Sequence, residues 1–325
     1  MNLLLDARNH IFELARSGQR LPHGVVAVIL SFVFVLAAQF VGGIPALLLI
    51  AALSMAGAGQ GSLANPEALG QLLLPDTALE LTLLLILSFA PLFLLLWAWL
   101  KWYEKRPFWT MGLERSGAGF KYLRGLLVGL GMFAVSVGLS AGLGFMAFEE
   151  GTAQPQGLAA LGGVLLIFLG WTVQGSAEEI LARGWLLPVI GARYKPLWGI
   201  IISAVVFAVY HSLNPNVSPI AFLNLFLFGV FAAFYGLSEG SLWGVFGIHT
   251  AWNWAQSNLF GLQVSGIPPA AGSLFNLMEA GPDAVTGGPF GPEGGLAVTA
   301  VLVVSTVWVW WVNRQGEPRN IEDRG

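Results

Sequence analysis

Glu178, Glu179 and Arg183 stand in a largely apolar stretch where charged side chains are out of place. An ionised group in the middle of a membrane helix costs roughly 2.5 to 3.5 kcal/mol on insertion scales, so such groups persist where they pair or work. Helical spacing separates their roles. Glu179 and Arg183 are four residues apart and share a face, the arrangement of an ion pair, whereas Glu178 projects about 100° away and is free to address something else. Two of the four histidines, His211 and His249, also fall in apolar segments. His211 follows Phe207 by four residues, and His249 precedes Asn253 by four, which sends that imidazole and carboxamide to one face. His10 and His23 lie in the polar N-terminal stretch and read as solvated surface residues. A carboxylate, two imidazoles and a carboxamide form a set that can activate water: a general base, a second base or metal ligand, and donors for a developing oxyanion.

The elements that hold these groups are set by composition. The 325 residues are 56% hydrophobic and only 10% charged, with a mean hydropathy of +0.72, whereas soluble domains carry about 25% charged residues. The pattern predicts an all-α polytopic membrane protein. Eight segments approach the ~20 apolar residues of a helical span: 24–50, 78–100, 125–147, 160–191, 197–213, 218–237, 241–260 and 295–313. Every Lys and Arg except Arg183 falls before the first span, between spans two and three, between four and five, or after the eighth. The alternate loops hold acidic residues but no basic ones, so basic-side-inside logic puts both termini in the cytoplasm. Measured from the turn at Lys195, Glu178 and His211 lie roughly 25 Å away along their helices, level across a hairpin. His249 and Asn253 come out somewhat shallower unless the turn before them is recessed.

Inventory excludes several chemistries. The net charge of −3 gives no reason to expect a nucleic-acid partner, and the absence of cysteine removes disulfides, thiolate metal sites and thiol catalysis. All four aspartates lie outside the spans, which rules out an intramembrane aspartyl dyad, and there is no H-E-x-x-H for a zincin. Gly138 to Gly142 fit G-x-S-x-G but fall inside a hydrophobic helix rather than a strand-turn-helix, a chance match. Gly125 and Gly129 suit close helix packing, and Pro91 should kink the second span. The first 22 residues suggest an amphipathic helix at the membrane surface. The Gly/Pro-rich run 261–294 is long for a structureless connection.

Glu178 to Arg183 read E-E-x-x-x-R, Phe207 to His211 F-x-x-x-H, and His249 to Asn253 H-x-x-x-N. In that order on three helices they resemble the signature of the CPBP intramembrane proteases, the CAAX protease and bacteriocin-processing family that includes the type II CAAX prenyl endopeptidases. The resemblance covers about residues 160–260. It implies a membrane endopeptidase in which Glu178 and His211 activate water, His249 and Asn253 hold the oxyanion or bind a metal, and Glu179, Arg183 and Phe207 support them. A catalytic zinc, if used, would take Glu178, His211 and His249 as ligands; the His249–Asn253 pair favours the glutamate-based version. The expected partners are a peptide or membrane-protein substrate, prenylated or otherwise membrane-associated, and the lipid bilayer, in a bacterial plasma membrane. A proton-coupled carrier and a non-catalytic immunity or scaffold protein are the competing readings. The expected organisation is an interfacial segment 1–23, a membrane domain 24–313 with its motif-bearing core at 160–260, and a cytoplasmic tail 314–325.

Overall fold

The computed structural model describes residues 2–57, 75–149 and 154–314. The expected tail beyond Arg314 and most of the loop 51–77 lie outside these residues. The chain is an all-α polytopic membrane protein, about three-quarters helical. In chain order the helices are α1 (His10–Arg16), α2 (Gly24–Ala38) running through a π turn into α3 (Ile44–Gly57), α4 (Ala78–Trp99), α5 (Ala118–Gly142), α6 (Leu161–Glu179), α7 (Leu187–Arg193), α8 (Pro196–Tyr210), α9 (Pro219–Glu239), α10 (Trp243–Trp254), α11 (Asp283–Thr286) and α12 (Leu296–Asn313). A seven-residue π-helix, Ile180–Leu186, joins α6 to α7 without a break.

Local signals set the helix boundaries. Thr77 and Glu80 form a capping box at the start of α4, and Ser218 caps α9 with Pro219 at its first position. Gly240, at φ 63°, closes α9 in the left-handed conformation that glycine adopts at least cost. Seven helical stretches among the described residues are long and apolar enough to cross a membrane. The seventh expected span, 241–260, holds α10, which is shorter. It is buried on every side from Gly244 to Asn253, as a helix in the middle of a bundle must be.

Glycines bring the neighbours of α10 close. A β-carbon on Gly125 of α5 would overlap the Gly244 carbonyl, one on Gly129 the Ile248 carbonyl, and one on Gly247 the Tyr122 carbonyl. The G-x-x-x-G of α5 therefore serves backbone-to-backbone packing against α10. The G-x-S-x-G match lies within the uninterrupted helix α5. Helix α4 continues through Pro91. Proline has no N–H for the carbonyl one turn earlier, and Gly42 packs where a β-carbon would overlap that Leu87 carbonyl.

Two further arrangements come from contacts distant in sequence. Ile11 and Phe12 of α1, with Leu4 of the 3-10 turn before it, form a buried cluster with Leu187, Ile200, Ala233 and Leu237. The run 261–294 is not structureless. It contains strand β2 (Leu277–Glu279), antiparallel to β1 (Met146–Phe148) with Met146 opposite Glu279, as well as α11 and short 3-10 turns. Glu293 ties its end to the bundle, accepting from Trp252 Nε1 at 3.1 Å and from Ser265 N and Oγ at 2.8 and 2.7 Å. At the opposite face a buried Glu104 accepts from Trp99 Nε1 at 2.9 Å, Trp185 Nε1 at 2.6 Å and Arg106 Nε at 2.6 Å. These bonds anchor the π segment to the end of α4.

Candidate active site

Glu178 and Glu179 are the last residues of α6, where the π segment begins. π turns inside α-helices occur often at functional sites. Arg183 Nη1 donates to Glu179 Oε1 at 3.0 Å, with both side chains essentially out of contact with solvent. The pairing expected from their spacing is therefore present. Glu179 does more than neutralise Arg183: the same Oε1 lies 2.9 Å from His249 Nδ1. A carboxylate can only accept, so Nδ1 carries the proton and Nε2 faces away from Glu179.

Phe207, on α8, meets two of the other motif residues. The Arg183 guanidinium carbon lies 4.3 Å over its ring, the His211 ring packs at 4.7 Å, and its carbonyl oxygen is 2.9 Å from His211 Nδ1. A carbonyl also only accepts, so His211, too, holds its proton on Nδ1. Phe228 of α9 backs both Phe207, at 5.8 Å, and His249, at 5.1 Å between ring centroids.

Both imidazoles thus turn Nε2 toward Glu178, whose Oε2 lies 3.8 Å from each. That separation exceeds hydrogen-bond reach, and Glu178 Oε2 is a buried atom without a hydrogen-bond partner. The other oxygen is engaged: Gln174 Nε2 donates to Oε1 at 2.6 Å. Asn253 does not touch His249 through its carboxamide but donates from Nδ2 to Gln174 Oε1 at 2.9 Å. The depth expected for His249 and Asn253 is too shallow by the difference that a recessed turn makes. Ser241 and Leu242 before α10 are buried, with Leu242 N bonded to the Gly112 carbonyl at 3.0 Å. Glu178, His211, His249 and Asn253 all line one cavity of about 670 Å³.

The remaining walls of this cavity are chiefly apolar residues of α2, α4, α8 and α9, among them Val35, Leu85, Leu92 and Leu225. Pro75, Asp76, Gln154, Asn214 and Ile267 line it where the loops without basic residues converge. Among the described residues its lining contains no Lys or Arg. Two glutamate-free features escaped the sequence reading: Gln174, whose signal is its place one helical turn before Glu178, and Phe228, which no spacing rule connects to the motifs.

Residues 160–255 match the family model described as type II CAAX prenyl endopeptidase Rce1-like. The matched segment runs from the start of α6 to the end of α10 and includes every residue of the three motifs. No curated protein and no solved structure matches the chain. The Rce1-like match is consistent with the CPBP resemblance and supports a CAAX-type intramembrane protease in general. The donor types Glu178, His211 and His249 are those of a His2Glu zinc site, but among the described residues no group of three His, Asp or Glu side chains stands in a metal-holding arrangement. The 3.8 Å gaps from Glu178 Oε2 are wider than the roughly 3.4 Å between neighbouring tetrahedral ligands about 2.1 Å from zinc.

Proposed function

We propose that the chain is an intramembrane endopeptidase that hydrolyses a peptide bond of a membrane-associated peptide or protein, with Glu178 as the general base. The observation that carries this reading is Glu178 Oε2, an unpartnered carboxylate oxygen that faces two imidazole Nε2 atoms across a cavity wall. Water held there by Oε2 and oriented by His211 attacks the carbonyl carbon, and its proton passes to Glu178. The carbonyl π electrons move to oxygen. The resulting oxyanion is stabilised by the second N–H of Asn253 Nδ2 and by His249 in its doubly protonated form, held by Glu179 at Nδ1 and donating from Nε2. The tetrahedral intermediate collapses with cleavage of the C–N bond, and Glu178 returns the proton to the departing amine. The products are a carboxyl and an amine terminus, and no metal ion takes part in this scheme.

The distribution of Lys and Arg supports an orientation with both termini cytoplasmic, with residues 24–313 as the membrane domain around a motif-bearing core at 160–260. In that orientation the Asp76 and Asn214 side of the cavity faces outward. The test is a comparison of membrane proteomes from cells carrying the wild-type chain and Glu178→Ala. Substrate C-termini present only with the wild type are expected. Substrate flux without new termini would instead support a carrier, and neither would leave a non-catalytic scaffold.

A further inference from the structure

Gln174 belongs to none of the three motifs, yet it connects two of them. Its side chain is buried, 7% exposed, and lies one helical turn before Glu178. Its amide is bonded at both ends: Nε2 donates to Glu178 Oε1 at 2.6 Å, and Oε1 accepts from Asn253 Nδ2 at 2.9 Å. The direction of both bonds follows from the acid. An ionised carboxylate offers only acceptors, so Gln174 turns its NH2 to Glu178. Its carbonyl then faces Asn253, which must answer with its own NH2. Two amides that could otherwise flip are thereby oriented in series from one carboxylate.

The backbone makes this reach possible. Gly175 lets α10 approach α6, because a β-carbon there would crowd the Thr250 nitrogen and the His249 side chain at 3.2 to 3.3 Å. Glu179–His249 and Gln174–Asn253 then form two rungs between the same pair of helices. One consequence falls on each half of the site. Glu178 Oε1 is occupied, so Oε2 is the oxygen left toward the two Nε2 atoms. Asn253 Nδ2 spends one N–H on Gln174 and keeps the other on the side of the cavity it lines.

We infer that Gln174 is a positioning residue that selects the reacting oxygen of Glu178 and sets the donor orientation of Asn253. This rests on the hydrolytic reading above. A buried amide that merely satisfies its neighbours would alter stability when lost; a positioning amide alters turnover. The test uses the full-length purified protein in detergent or proteoliposomes, with a cleaved peptide reporter. Gln174→Met keeps the length and removes both hydrogen bonds. It is expected to lower kcat roughly 10- to 100-fold, the scale of lost outer-shell contacts, with KM within about twofold and thermal stability near wild type. Combined with Asn253→Ala, its effect on kcat is expected to be smaller than the product of the single losses, because part of it acts through Asn253.

Should Gln174→Met lose folded yield, Gln174→Leu removes the same donor and acceptor with a shorter apolar side chain and adds no ionisable group, and the same fall in kcat is expected. Wild-type kcat in a folded Gln174 variant, or strictly multiplicative losses, would overturn the inference. The parent reading is tested separately by Glu178→Gln: wild-type cleavage in that variant sinks the hydrolytic scheme, whereas an inactive Glu178→Gln beside a fully active Gln174→Met sinks only the role of Gln174.

Discussion

Adjacent glutamates with opposite duties give the sharpest test of the site. Consider Glu178→Gln and Glu179→Gln, one atom changed in each. Glu179 is fully buried and its Oε1 accepts from both Arg183 Nη1 and His249 Nδ1. Among the described residues Arg183 Nε and Nη2 have no hydrogen-bond partner, and Glu179 is the carboxylate hydrogen-bonded to that guanidinium. Neutralising it leaves a buried cation, a loss of about 3 to 5 kcal/mol when one member of such a pair is removed. The Phe207 ring beneath the guanidinium remains and offsets a fraction of this, since a desolvated cation–π contact is worth up to ~2 kcal/mol. A net destabilisation of roughly 2 to 4 kcal/mol is expected. For Glu178→Gln the carbonyl can keep the bond from Gln174 while the new NH2 faces the two imidazole Nε2 atoms, so stability should change by no more than ~0.5 kcal/mol. Its turnover, however, should fall by on the order of 10² to 10⁴, the contribution of a general base. Reversible unfolding in mixed micelles gives the first number and cleavage of a peptide reporter the second. If Glu179→Gln is as stable as wild type, or Glu178→Gln turns over at the wild-type rate, the division of labour is wrong.

Other expected outcomes follow from single features. Cysteine in place of the exposed Ala284 should react with an impermeant thiol reagent from outside intact cells and cysteine at the exposed Ser116 should not; the reverse pattern refutes the orientation. Gly287 of the same segment, at φ 111° with no room for a β-carbon, is a poorer probe position than Ala284. Purified protein should hold no stoichiometric zinc and should keep its activity after chelation; one equivalent of zinc that disappears in His249→Ala would replace the water-and-carboxylate scheme with a metal-dependent one. Burial in the 261–294 segment pushes the Glu279 carboxyl from 4.5 up to about 7. The folded state therefore holds a proton that the unfolded chain has released, and the stability contributed by this group is full below pH ~4.5 and lost as pH rises toward ~7. Glu279→Gln should flatten that part of a stability–pH curve measured by thermal shift, and an unchanged slope would show that the group does not titrate there.

Much of this architecture can be read from the residues. The spans follow from composition, and the Glu179–Arg183 pair follows from a spacing of four on a helix. The convergence of Glu178, His211 and His249 was legible only as approximate depth, because the recessed turn at Ser241 and Leu242 depends on the Gly112 carbonyl, far away in sequence. The second bond of Glu179 and the whole role of Gln174 depend on how closely α6 and α10 approach, which glycine contacts decide and helical periodicity does not report. The N-terminal helix shows the same limit. Its amphipathic pattern says that one face is covered but not by what, and Leu187, Ile200 and Leu237 are among the residues packed against Ile11 and Phe12.

The glycine seam between α5 and α10 bears on how variants of this chain should be interpreted. At Gly125, Gly129 and Gly247 even a methyl group collides with main-chain carbonyls, atoms that cannot turn aside as a side chain can. None of these positions lines the cavity. In a saturation mutagenesis screen scored by activity, each would show the all-or-none intolerance of a catalytic residue, and a map drawn from such data would enlarge the candidate site toward α5, which contributes none of the cavity lining. Scoring folded protein per cell alongside product would separate the two groups, since the seam should lose both and Glu178→Gln only the second.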